Sequence, residues 1–220
     1  MIMRGIQFGN FHTADDWDLI LHAKTLTPPK PKTYYVAIPG RDGDLDLSEA
    51  LTGEVHYENR IAVFSFIASD GSYSDREDLL SEIVAQIHGK RLQIVDPDYP
   101  GYYLSGRCTV TERTNINAYG TITVEANCDP YKYALEQTTR TVSVTPSAGT
   151  LAVVCTNTGV QTVTPTITVT GSVTLTFGTI TTTLSAGTYV LPALQFPAGT
   201  TTVQVSGNGT IAFTYREAIL

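Results

Sequence analysis

The chain has 220 residues, a formal net charge of −7 and a pI of about 5.0, which argues against an electrostatic grip on a phosphate backbone, since that needs a basic face. The length allows one large domain or two small ones. No apolar run is long enough to span a bilayer, and the opening Met1-Ile2-Met3-Arg4-Gly5-Ile6-Gln7 has no apolar core of the kind a secretory signal needs.

In chain order, Ile6 to Phe8 and Trp17 to His22 predict a first hairpin. Thr27-Pro28-Pro29-Lys30-Pro31-Lys32 cannot be a paired central strand, because three prolines remove three donors; it reads as an extended loop or edge arm. Two strand-like runs follow, Tyr34 to Ala37 and Arg60 to Phe66. Between them lies Ile38-Pro39-Gly40-Arg41-Asp42-Gly43-Asp44-Leu45-Asp46-Leu47, with turn signals at Pro39-Gly40 and Asp42-Gly43. Asp42, Asp44 and Asp46 alternate as the first ligands of a calcium loop would. The sixth position, however, is Leu47 instead of Gly, and the twelfth is Gly53 instead of Glu, so calcium is excluded. The remaining readings are a solvated acidic turn or a contact loop built from Arg41, Asp42, Gly43, Asp44 and Asp46.

Asp70 to Lys90 predicts the one helix. Ser74-x-x-Glu77 reads as its capping box, and Leu79, Leu80, Ile83, Val84 and Ile87 form one apolar stripe that needs a sheet to cover. Gly89 closes the helix. A strand from Leu92 to Val95 and a turn at Asp96 to Gly101 lead into a long hairpin with arms Tyr102 to Thr114 and Tyr119 to Cys128. A register centred on residue 118 sets Cys108 opposite Cys128. It also puts Cys108, Val110 and Glu112 on one face with Ile122, Val124, Ala126 and Cys128. Glu112 is then the polar exception and belongs near the tip, where water reaches.

The charges stop abruptly. From Thr141 onward the only charged side chains are Arg216 and Glu217, a shift that predicts a boundary between a first domain, 1–136, and a second, 141–220. The second part alternates at period two: Thr166 to Thr170, Ser172 to Phe177 and Thr201 to Ser206 each put β-branched apolar residues on one face and threonines on the other. With turns at Asn157-Thr158-Gly159, Gly171, Gly187 and Gly207-Asn208-Gly209, this reads as a β-sandwich.

No catalytic constellation emerges. His12, His22, His56 and His88 are scattered, no carboxylate lies in an apolar run, and a Gly-x-Ser-x-Gly elbow and a phosphate-cradling loop are absent. The expectation is a protein that is not an enzyme and uses no cofactor and no metal. Cys108, Cys128 and Cys155 form no C-x-x-C pair, and their odd number suits a reducing cytoplasm, with Cys108 and Cys128 reduced.

Three phrases in this order carry a resemblance: Phe8-Gly9-Asn10-Phe11-His12-Thr13-Ala14-Asp15-Asp16-Trp17, then Pro39 to Leu47 followed by Asn59-Arg60, then Cys128-Asp129-Pro130-Tyr131-Lys132-Tyr133. Together they resemble the distal tail proteins of long-tailed bacteriophages. Gly9-Asn10 is inverted relative to the family's phrase, and Trp17 replaces a Phe. The resemblance implies a mainly β fold: an N-terminal β-sandwich or barrel-like domain with one α-helix, and a galectin-like C-terminal β-sandwich, for which Asn157-x-Gly159, Pro165-x-Ile167 and Gly207 to Glu217 fit. It further implies a structural role: a homo-hexameric ring at the virion tail tip, assembled in the bacterial host cytoplasm. That ring would meet the tail tube protein on one side and the tail-tip and receptor-binding proteins on the other, with the tape measure protein as a further partner. DNA would pass only in transit through its channel, and there would be no membrane insertion. The alternative is a carbohydrate-binding module in the C-terminal sandwich, for which the aromatics are Phe177, Tyr189, Phe196, Phe213 and Tyr215. Phe177 and Phe213 fall on the apolar parity and are expected in the core.

Overall fold

The computed structural model describes residues 5–220; Met1 to Arg4, part of the stretch read for a leader, lie outside them. The chain is mainly β with one α-helix. It divides into two compact units, one running to Lys132 and including Leu220, the other Tyr133–Ile219.

The first unit contains β1 (Gln7–Phe8), β2 (Phe11–His12), β3 (Ile20–Leu26), β4 (Tyr35–Ala37), β5 (Asp44–Asp46), β6 (Arg60–Ala68), α1 (Tyr73–Ile87), β7 (Arg91–Val95), β8 (Tyr102–Asn115) and β9 (Gly120–Cys128). Its main sheet runs in the order β2-β1-β7-β8-β9-β6-β3, and the pairings along it are antiparallel. Strand β6 shows why it sits inside: Ala62, Phe64, Phe66 and Ala68 face the core on one parity. Helix α1 covers that face with Leu80, Ile83 and Ile87, which join Phe8, Trp17, Ile94, Ile122 and Val124 in one core. Leu79 and Val84 pack at its margin.

Three sequence expectations change here. The first hairpin is not Ile6–Phe8 with Trp17–His22. Gly9-Asn10 closes a tight turn, so β1 pairs with β2 and with β7, while β3 crosses to the far edge and pairs with β6. Trp17 is thereby freed to stack on Phe11, centroids 5.1 Å apart, at the edge of the core. The helix starts earlier than Ser74. Its N-cap is Ser72, whose Oγ accepts from the Asp75 N–H at 3.2 Å while Asp75 Oδ2 accepts from the Ser72 N–H at 2.9 Å. This is the same reciprocal box two residues upstream, closed by an Asp instead of Glu77.

The long hairpin has slipped by two residues. Cys108 faces Ala126 and Gly106 faces Cys128, and towards the tip a bulge at Thr111 takes back one residue of that slip, so that Glu112 pairs with Thr123, on the opposite face from the one expected. An even slip leaves the faces unchanged, which is why Cys108, Ile122, Val124, Ala126 and Cys128 are all buried as expected although the cysteines are not opposite each other. All three cysteines are free. Glu112, beyond the bulge, is exposed.

The chain leaves the first unit through β10 (Lys132–Ala134). The second unit holds β11 (Thr138–Val144), β12 (Leu151–Asn157), β13 (Thr166–Phe177), β14 (Ile180–Val190), β15 (Gly199–Tyr215) and β16 (Ala218–Ile219). The expected short strands are segments of longer ones: Thr166 to Thr170 and Ser172 to Phe177 are both in β13. The sheet order is β11-β15-β13-β14, with β12 also on β15. Strand β15 carries β11 along its second half and β12 along its first.

A glycine crease divides these halves. Gly171 pairs with Gly209, and Val173 with Gly207. A Cβ on Gly209 would stand 1.8 Å from the Thr170 carbonyl oxygen, and one on Gly171 2.3 Å from the Asn208 carbonyl oxygen; both glycines have positive φ. Only glycine lets the strands pass this closely. Side chains from both sides of the crease, Ile167 and Phe213 on one and Leu175 and Val203 on the other, share one core. At its centre Phe196 meets Phe213 and Tyr215 edge to face.

Candidate assembly surface

The charged stretch singled out in the sequence folds as a two-stranded hairpin of its own. Tyr35 pairs with Asp46, Val36 with Leu45 and Ala37 with Asp44, and β4 and β5 pair only with each other. The tip runs Ile38 to Gly43, with Gly40 at φ 80° and Gly43 at φ 72°, a conformation that glycine takes cheaply. At the base, the Leu47 N–H donates to the Tyr34 carbonyl at 2.9 Å and the Tyr34 N–H to Ser48 Oγ at 2.8 Å. Asp46 accepts from the Ser48 N–H at 2.9 Å and from its hydroxyl at 2.5 Å. Those bonds hold its carboxyl below the usual carboxylate range.

The five expected contact residues are thus brought together, Arg41, Asp42 and Gly43 at the tip and Asp44 and Asp46 on β5. All are exposed. Arg41 uses its backbone N–H on the Ile38 carbonyl at 3.2 Å. Among the described residues its guanidinium has no hydrogen-bond or ion-pair partner, so no internal clamp closes the loop.

Exposed apolar side chains flank the charged stretch in sequence, beyond what the charge pattern indicates. Tyr34 is 64% exposed, Tyr35 55% and Leu51 99%, with Ile38, Leu47 and Val55 also exposed. An isolated two-stranded hairpin is marginal in water, and exposed apolar groups beside one make this stretch a candidate contact surface. A sequence signal for part of it existed: two adjacent tyrosines in a strand must point to opposite faces, so one faces out whichever side is covered.

Elsewhere several ionisable groups are committed to structure. Lys24 Nζ lies 2.8 and 2.6 Å from the two oxygens of the buried Asp96 and 2.5 Å from Asp98. Arg60, buried, donates to the carbonyls of Thr27 and Pro130 at 3.1 and 3.3 Å; burial pulls its pKa down. Lys132 is buried with its ammonium 4.4 Å from the Tyr99 ring centroid. His88 Nδ1 accepts from the Val110 N–H at 3.1 Å, and His12 Nδ1 lies 2.7 Å from Asp15. Among the described residues no three His, Cys, Asp or Glu side chains are grouped to hold a metal, and no helix is long and apolar enough to cross a membrane.

A solved structure matches this architecture from end to end. It is SPP1 Dit (gp 19.1), described as a paradigm of the hub adsorption apparatus in phages that infect Gram-positive bacteria. The match has a TM-score of 0.73 and covers 98% of this chain and 99% of that one. The fold is that of a Dit protein. At 17% identity the Dit fold is carried by a largely different sequence. No protein-family model and no curated protein matches the chain. Both units lie within the matched Dit fold, since the coverage is nearly complete on each side.

Proposed function

We propose that this chain is a structural protein of a phage tail tip, a distal tail protein that assembles as a homo-hexameric ring. In this reading the ring joins the tail tube protein to the tail-tip and receptor-binding proteins, with the tape measure protein as a further partner, and DNA crosses its channel without being held. The carrying observation is the full-length likeness to the SPP1 Dit hub protein. Two further features support it. The β4–β5 hairpin presents an unpaired guanidinium, three carboxylates and exposed Tyr34, Tyr35 and Leu51 with no partner strand. The net charge of −7 weakly repels a phosphate backbone, which suits passage rather than binding. The hairpin tip, Arg41 to Asp46, is placed at the contact between subunits, and the C-terminal unit is read as galectin-like.

Sugar binding by the second unit gains no support from its aromatics. Phe196, Phe213 and Tyr215 are buried, and the Tyr189 hydroxyl is engaged by the Ser185 carbonyl at 3.1 Å. Light scattering on concentrated protein, followed by negative-stain imaging, tests the ring. Six-fold particles are expected. A tail purified from the producing phage that lacks this protein at its tip overturns the assignment.

A further inference from the structure

The outer edge of β14, from Ile180 to Leu184, lies beside an apolar cavity in the second unit. Strand β14 ends the sheet order, so the backbone N–H and C=O groups on its far side have no strand partner among the described residues. Natural edges are usually blunted by lysine, proline or brevity. In the first unit that holds: β2 is two residues long, and β3 carries Lys24 and runs into Pro28, Pro29 and Pro31. Strand β14 is 11 residues long, the longest of the edge strands β11, β12 and β14, and it contains no charge and no proline. Its second half is partly shielded. Gly187 lies under the Tyr189 ring, whose hydroxyl caps the Ser185 carbonyl. Among the described residues the first half has no such cover.

The cavity, about 210 Å3, is lined by Leu175, Phe177, Ile180, Thr182 and Leu191 to Leu194. Ile180 and Thr182 therefore belong both to the free edge and to the cavity wall. An apolar cavity of roughly 150 Å3 takes a benzene ring, so this one has room for a phenyl or leucyl side chain. The lining contains no charged group, so it would leave any charge inserted there unpaired.

We propose that Ile180 to Leu184 is a strand-addition site for an extended, uncharged protein segment, which pairs its backbone with the β14 edge and inserts one bulky apolar side chain into the cavity. The edge calls for a strand, because only another backbone satisfies a row of alternating donors and acceptors. The cavity selects among strands, because alternate side chains of an added strand point to the same face. This inference is independent of ring formation.

The test uses the full chain, isotope-labelled, titrated with a capped synthetic peptide of Ser172 to Phe177. That sequence already pairs with β14 on its inner side, Phe177 opposite Ile180. Saturable shifts of the Ile180 to Leu184 amides and of the Ile180, Leu191 and Leu194 methyls are expected. Filling the cavity with Ala193→Trp, or placing a charge at its mouth with Ile180→Asp, should weaken binding about tenfold or more. Both positions are exposed, so these variants should keep the wild-type melting temperature. The fully N-methylated peptide, which cannot donate, should not bind. No shifts up to about 2 mM peptide, shifts elsewhere in the chain, or shifts unchanged in both variants would overturn the proposal.

Discussion

Arg76 in α1 ties the helix to the tip of the β8–β9 hairpin through Asn115: its Nε donates to Asn115 Oδ1 at 3.3 Å, while Nη2 reaches the Ile116 and Asn117 carbonyls at 2.8 and 3.1 Å. Asn115 returns the contact with its amide on the Tyr73 carbonyl at 2.9 Å. Nη1 completes the set on the Gly71 carbonyl at 2.6 Å. Arg76 is 3% exposed, so removing it empties a buried site and takes the donor from four partly buried acceptors at once. Arg76→Ala should lower unfolding free energy by about 3 kcal/mol. Arg76→Lys should recover only part, because an ammonium lacks the planar fork. Urea unfolding of both variants checks this, and equal loss in the two would show that the fork geometry is unimportant.

The Lys24–Asp96 pair gives an alkaline limb to stability. Burial lowers the Lys24 pKa, but the hydrogen bonds and charges of Asp96 and Asp98 outweigh it, and the net shift is upward. A raised lysine pKa stabilises fully below the unfolded value, about 10.4, and the contribution is lost as pH rises through the folded value. Lys24→Met leaves Asp96 buried without its cation and should cost about 2 kcal/mol at neutral pH. The difference from wild type should shrink in denaturant melts above the lysine range; a constant difference would place the effect in packing alone.

The crease in the second unit should tolerate no side chain. Gly209→Ala meets the Thr170 carbonyl at 1.8 Å and should cost roughly 2–4 kcal/mol. Gly178 also has positive φ but nothing within 4 Å of its added Cβ. Gly178→Ala should therefore cost only about 1 kcal/mol, the price of the backbone conformation. Calorimetry on the pair separates collision from conformation.

Burial pushes the Cys108 and Cys128 thiols up to about 12 and Cys155 up to about 11. Thiolate is the reacting species, so the native protein should resist a disulfide reagent at pH 8 while the unfolded chain reacts at all three cysteines. A count of one after unfolding would show a Cys108–Cys128 disulfide, contrary to the free thiols observed.

Arg41 has no partner inside the chain among the described residues. Arg41→Ala and Arg41→Lys should therefore leave the thermal unfolding of the isolated monomer nearly unchanged, while ring formation or particle infectivity falls. If both variants unfold several degrees lower as monomers, the hairpin is an internal staple and the contact is misplaced.

The residue pattern alone determined a mainly β chain with one helix, the apolar faces of α1 and of the long hairpin, and the closeness of Arg41, Asp42, Gly43, Asp44 and Asp46 along one short stretch, which the structure folds into a hairpin with Asp44 and Asp46 on β5. These depend on local periodicity and turn chemistry, which act within a few residues. Tertiary structure decided everything that depends on which strand lies beside which. It sent β3 to the far edge, because Trp17 and Leu19 lower the free energy more in the core than in a local hairpin. It slipped the β8–β9 register by two, a change invisible to face parity. It moved the cap from Ser74 to Ser72, where Asp75 could close the box. It buried Arg60, Arg76 and Lys132, which composition places at the surface, because carbonyls and a tyrosine ring from distant parts of the chain converge on them. The β14 edge and its cavity exist only once β13, β14 and the 191–194 segment have met, since neither an unpaired edge nor a void is a property of any single stretch of sequence.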